Sequence, residues 1–169
     1  MGADKVFDLE RNPDLLNTIR TDVIMIGLNF SRELASTKAF ANFHDLSPYA
    51  NDFKIRYAFE GTSFWGAYMT DALKNLIIPD AHGVRKYMKE HPEVVAQNIQ
   101  KLEHELNDIG ASRPQLISFG RDTYGILKKH LNKDTYSEII QVPHYSHQIK
   151  KEEYRTEVLK KLSSAAASL

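Results

Sequence analysis

Three short stretches of this chain gather side chains able to do chemistry. In the first, DVIMIGLNFS over 22–31, Asn29 and Ser31 follow an apolar run. An asparagine amide donates and accepts hydrogen bonds at once, so Asn29 can orient a water or read an amide edge, although it is no strong base. In the second, Thr70 and Asp71 close the segment FWGAYMTD. Asp71 can act as a base or accept from ring N–H groups; it can equally cap a helix begun by DALKNLI. In the third, PHYSH sets His144, Ser146 and His147 just beyond SEIIQV. Imidazoles there can donate a proton or stabilise an anion. His144, His147 and Asp71 are also proper zinc ligands, but HYSH has neither an HExxH pattern nor a cysteine pair, so no metal is expected.

These groups need elements to carry them. Val23–Ile26 is a short, continuous apolar run, which suits a strand buried on both faces of a parallel sheet. Gly27 then reads as a turn, with Asn29 either a turn residue or a group at the mouth of a crevice, since ligands bind at the carboxyl ends of strands in open α/β sheets. Phe64–Thr70 reads as the second strand, which DALKNLI leaves. Pro114–Gly120 is the third, and SEIIQV is the fourth. Helices are expected over DLLNTIR behind Asn12-Pro13, over two pieces from about Gly83 to Asp108 broken near His91-Pro92, over RDTYGILKKHL and over EEYRTEVLKKL. Residues 164–169 read as a frayed tail. Residues 32–63 resist assignment, but their aromatic load, including Phe40, Phe43, Phe53 and Phe59, argues against disorder. Strands alternating with helices imply a three-layer α/β/α sandwich around a central four-stranded parallel sheet, with three strand ends presenting Asn29 and Ser31, Thr70 and Asp71, and His144 to His147.

Composition narrows the function. The 169 residues fit one domain with a full core. Lysine plus arginine and aspartate plus glutamate each number 22, so nucleic-acid binding would need a local basic patch rather than bulk charge. The chain has no cysteine, which excludes disulfides, thiolate zinc sites and cysteine-ligated iron–sulfur clusters. The first residues, MGADKVFDLERN, lack a signal-peptide core, and no stretch reaches membrane-spanning length, so a cytoplasmic protein is expected. Glycine-rich nucleotide signatures are absent. Gly120-Arg121 either holds a phosphate at a helix start or simply begins a helix.

Taken in order, the pieces resemble the uracil-DNA glycosylase superfamily. Gly27-Leu28-Asn29-Phe30-Ser31 is similar to the Gly-x-Asn-Pro-Gly motif of its mismatch-specific (thymine/uracil) branch, with Phe30 in place of proline. His144-Tyr145-Ser146 matches two positions of the family's His-Pro-Ser motif. Tyr68 to Lys74 resembles a second-strand segment, often Thr-Asn-Val-Val-Lys, with Asp71 at its uracil-reading asparagine; Ser118 to Arg121 resembles the third-strand end.

The resemblance implies one uracil-DNA glycosylase-like domain over 1–169, a cofactor-free monomer that hydrolyses the N-glycosidic bond of uracil or a related damaged base in DNA. Asn29 would position the water and His144 would stabilise negative charge on the departing base. Asp71, Gly27, Leu28 and Phe30 would hold that base, with Phe43 or Phe59 stacking on it. Ser31, Ser146, His147 and Lys150 would contact DNA. The alternative is a catalytically weak binding module of the same fold that recognises a base, nucleoside or nucleic acid.

Overall fold

The computed structural model describes residues 8–30, 43–44 and 50–166. Its elements, in chain order, are α1 (Leu15–Thr18), β1 (Arg20–Phe30), α2 (Phe53–Phe59), β2 (Ala67–Ile77), α3 (Ala81–Glu90), α4 (Pro92–Asp108), β3 (Gln115–Phe119), α5 (Arg121–His130), β4 (Glu138–Val142) and α6 (Lys151–Ala166). The strands form one sheet in the order β2-β1-β3-β4, and every pairing is parallel. Helices cover both faces, which makes the chain the expected three-layer α/β/α sandwich. No helix of the described residues is long and apolar enough to cross a membrane.

The apolar run in β1 explains the layering. Successive strand side chains point to opposite faces. Ile24 and Ile26 enter a core with Val95, Ile99, Leu102 and Leu106 of α4 and Leu127 of α5. Val23 and Met25 enter a second core with Ile55 and Phe59 of α2 and Tyr154, Val158 and Leu162 of α6. Ile24 and Ile26 are wholly buried, and truncating either to alanine would cost about 2–5 kcal/mol.

Two strands run further than the sequence predicts. β1 continues through Gly27, Leu28 and Asn29 to Phe30, so Gly27 is no turn: it sits in the ladder opposite Asp71. β2 likewise takes in Asp71-Ala72-Leu73-Lys74-Asn75-Leu76-Ile77, so Asp71 caps no helix there. The strand form wins because Ala72 and Leu73 are both wholly buried, and because the Lys74 N–H donates to Asn98 Oδ1 of α4 at 2.7 Å. The pairing jumps from Asn29↔Leu73 to Phe30↔Ile77, an irregularity that bends the strand ends.

At the ends of the described chain, α1 is a single turn with Leu16 half exposed, shorter than DLLNTIR implies. At the other end α6 runs on to Ala166, through residues expected to fray. Its Tyr154 hydroxyl donates to Pro143 O at 3.0 Å, and Arg155 donates to the carbonyls of Tyr57, Ala58 and Glu60, satisfying groups at the end of α2.

Candidate functional site

Gly27 and Asp71 are cross-strand partners on the face that packs on α2 and α6. A methyl group at position 27 would lie 2.3 Å from Asp71 Oδ1 and 2.9 Å from Phe43 Cε1. The missing side chain therefore makes the space in which a carboxylate and an aromatic ring meet over one backbone. Asp71 is 4% exposed and Phe43 is 7% exposed. Burial of a carboxylate demands polar partners, and that requirement marks Asp71 as more than a surface strand residue.

Beyond β4 the loop folds back over the same face. Gly120, at φ 86°, holds a left-handed conformation that favours glycine, and its N–H donates to Val142 O at 2.9 Å. His144 packs directly on Gly120, where an added methyl would stand 3.4 Å from His144 Cβ. The Tyr145 ring stacks on His144 at 4.4 Å between centroids and meets Phe119 edge-on at 5.5 Å. Burial raises the pKa of the Tyr145 phenol, and the charges of Asp52 and Asp71 add to the effect, so the hydroxyl stays protonated. Tyr145 thus lies within electrostatic reach of Asp71 while touching His144.

The protonation state of His144 follows from its partners. The Ser146 backbone N–H donates to His144 Nδ1 at 3.2 Å, and Ser146 Oγ lies 2.8 Å from the same nitrogen. A backbone N–H can only donate, so Nδ1 carries the lone pair and the ring proton of the neutral imidazole sits on Nε2. Burial, helped by His147, lowers the pKa of the imidazole to about 4. His144 is therefore a neutral hydrogen-bond donor at physiological pH.

The remaining expected residues divide. Asn29 donates from Nδ2 to Leu76 O and to Ile78 O, each at 3.0 Å, so its two N–H groups clasp the end of β2. Any water that Asn29 orients must donate to Oδ1. Leu28 points to the opposite core, away from Gly27. Phe59 is 2% exposed and meets Phe119 edge-on at 6.3 Å, inside the core rather than at the rim; of the two stacking candidates only Phe43 borders Asp71. Thr70 turns away, donating to Glu105 Oε1 at 2.7 Å beside the Tyr68 hydroxyl at 2.8 Å. Ser146, His147 and Lys150 are exposed on the loop before α6. Ser31 and the Phe30 side chain lie outside the described residues. Among the described residues no three His, Asp or Glu side chains gather as a metal site requires.

Three contributors had no sequence signal. Lys54 of α2 is 6% exposed and its Nζ donates to His147 O at 2.7 Å, fastening the PHYSH loop. Phe119 supplies the edge against which Tyr145 rests, and Tyr154 holds Pro143. Two of these three bonds or contacts end on backbone carbonyls, which no residue pattern reveals. Comparison of the chain with protein-family models, curated proteins and solved structures returns no match.

Proposed function

We propose that this chain is a DNA glycosylase-like protein that hydrolyses the N-glycosidic bond of uracil or a related damaged base. One observation carries the reading: a neutral imidazole with its proton on Nε2 shares a rim with a buried carboxylate set over a bare glycine backbone. Glycosidic cleavage moves the bonding electron pair onto the departing base. A preorganised N–H aimed at that developing charge lowers the barrier without first giving up a proton. Attack of water oxygen on the sugar carbon completes the exchange, with the water proton passing to solvent or to the base. In this reading Asn29 Oδ1 orients the water, the His144 Nε2–H meets the charge on the base, and Asp71 accepts from a ring or exocyclic N–H.

Asp71 also bears on the choice of base. An ionised carboxylate only accepts, so it favours a base N–H flanked by at most one carbonyl oxygen over the N3–H of uracil, which has a carbonyl on each side. Hypoxanthine and xanthine belong among the substrates tried.

The second reading is a binding module of the same fold. The Asn29 amide clasp favours it, because that side chain already has a structural task.

The test is base release from duplexes and single strands containing uracil, hypoxanthine, xanthine or a G·T mismatch, read as alkali-cleaved abasic sites. Wild type, Asn29→Ala and His144→Ala are run together, each checked for folding. Release by wild type that falls in both variants supports the glycosylase reading. No release from any substrate by folded wild type overturns it in favour of the binding module.

A further inference from the structure

On the other face of the sheet from this rim, α3 and α5 face each other across an open cleft of about 370 Å3. Its lining combines apolar Met88, Pro92, Val95 and Ile126 with Arg85 and Lys89 from α3 and Arg121 and Lys129 from α5. Asp122 is the lone carboxylate of the lining, and Arg85 neutralises it at 2.8 Å. Among the described residues Lys89, Arg121 and Lys129 make no ion pair, and all three are exposed. A chain of zero formal net charge thus gathers unpaired cations in one groove.

The α5 wall has a second peculiarity. Arg121, Gly125 and Lys129 recur at a spacing of four, which aligns them on one helix face. Glycine inside a helix costs stability relative to alanine. Nothing lies within 4 Å of where a Gly125 side chain would begin, so no neighbour in the fold requires glycine there. A residue that the helix would rather replace, at the centre of a cationic stripe, suits close approach by something outside the chain.

We infer that this cleft binds the phosphodiester backbone of a DNA strand, with phosphates on Lys89, Arg121 and Lys129 and the sugar–base portion against the apolar part of the lining. The inference rests on the proposed DNA-directed function. Arg121 directly follows Gly120, on which His144 packs, so this one residue links the lining of the cleft, on the α4 side of the sheet, to the loop that carries the rim on the α6 side. Backbone contacts of this kind fix register without reading sequence.

The experiment is fluorescence anisotropy with a labelled single-stranded oligodeoxynucleotide that contains only normal bases, titrated at several salt concentrations. It compares wild type, the triple variant Lys89→Gln/Arg121→Gln/Lys129→Gln, and Gly125→Leu. The triple variant is expected to bind at least tenfold more weakly and to lose about two from the salt slope, roughly 0.7 for each single-strand phosphate contact removed. Gly125→Leu is expected to raise the thermal midpoint yet weaken binding, an opposition that a purely structural role would not produce. Wild-type affinity and salt slope retained in both variants would overturn the inference, as would the absence of any binding by wild type at low salt. Cleft-dependent binding without base release from any substrate would uphold the cleft while removing the glycosylase reading.

Discussion

The carboxylate of Asp71 stands over the α-carbon of Gly27, so close that a single methyl group at position 27 would come within 2.3 Å of Oδ1. The same methyl would press on Phe43 at 2.9 Å. Gly27→Ala is therefore expected to destabilise the fold by about 1–3 kcal/mol, the usual penalty for overfilling a packed site. Chemical denaturation would show it as a lowered midpoint with an unchanged slope. The variant should also lose any base release, because Asp71 and Phe43 would have to separate.

At Asp71 the prediction concerns selectivity. Asp71→Asn replaces an acceptor-only group with one that donates and accepts, which matches the mixed edge of uracil. Release of uracil relative to hypoxanthine is expected to rise by about tenfold, the equivalent of one hydrogen bond near 1.4 kcal/mol. Competition between the two substrates in one tube measures that ratio directly.

Asn29 offers a test through its two acceptors. Asn29→Ala abandons the carbonyls of Leu76 and Ile78 and should cost about 1–3 kcal/mol. Asn29→Asp should be worse than alanine at neutral pH, since it sets a carboxylate against two carbonyl oxygens. Thermal unfolding of the two variants ranks them; a water-orienting role alone would not give that order.

Lowering the pH should loosen the His144 loop. The folded chain keeps His144 neutral down to about pH 4, while an unfolded imidazole takes its proton near 6.5. Between those values the unfolded state binds more protons, so this contribution to stability is complete above pH 6.5 and is lost as the pH falls toward 4. Protonation also puts a hydrogen on Nδ1, against the Ser146 N–H. His144→Asn is expected to flatten that part of the stability–pH curve, measured by urea unfolding at half-unit steps.

Across the sheet, Glu105 collects the hydroxyls of Tyr68 and Thr70 and an ion pair from Lys74. Burial raises the Tyr68 phenol pKa, and the hydrogen bond to Glu105 and its charge add to the effect. Glu105→Ala leaves Lys74 partly buried without its carboxylate and is expected to cost about 2–3 kcal/mol. Equilibrium unfolding checks it, and base release should change little.

Much of the architecture was legible because burial leaves a period in the sequence. Val23–Ile26 reads as a strand covered on both faces, and Val95, Ile99, Leu102 and Leu106 read as a helix stripe; each lies in the core assigned to it. Strand lengths were not legible. Gly27 imitates a turn and Asp71 imitates a helix cap, since neither residue favours a strand by itself. Their pairing makes both fit, and register between strands is a property of two segments at once. The rim was legible only as a set of strand ends. The carbonyls that fix Asn29, Lys54 and Tyr154 belong to the backbone, and every residue type presents the same one.

Helix α6 closes the second core with Tyr154, Val158 and Leu162, and its Arg155 gathers the final carbonyls of α2. It is the last described element to leave the ribosome. Until it emerges, the side of β1 that bears Gly27 lacks one of the two helices that cover it, α2 alone being in place, although β1 itself was made long before. Synthesis therefore completes the helices of the opposite side of the sheet first, and the face bearing the proposed rim gains its second helix only afterwards.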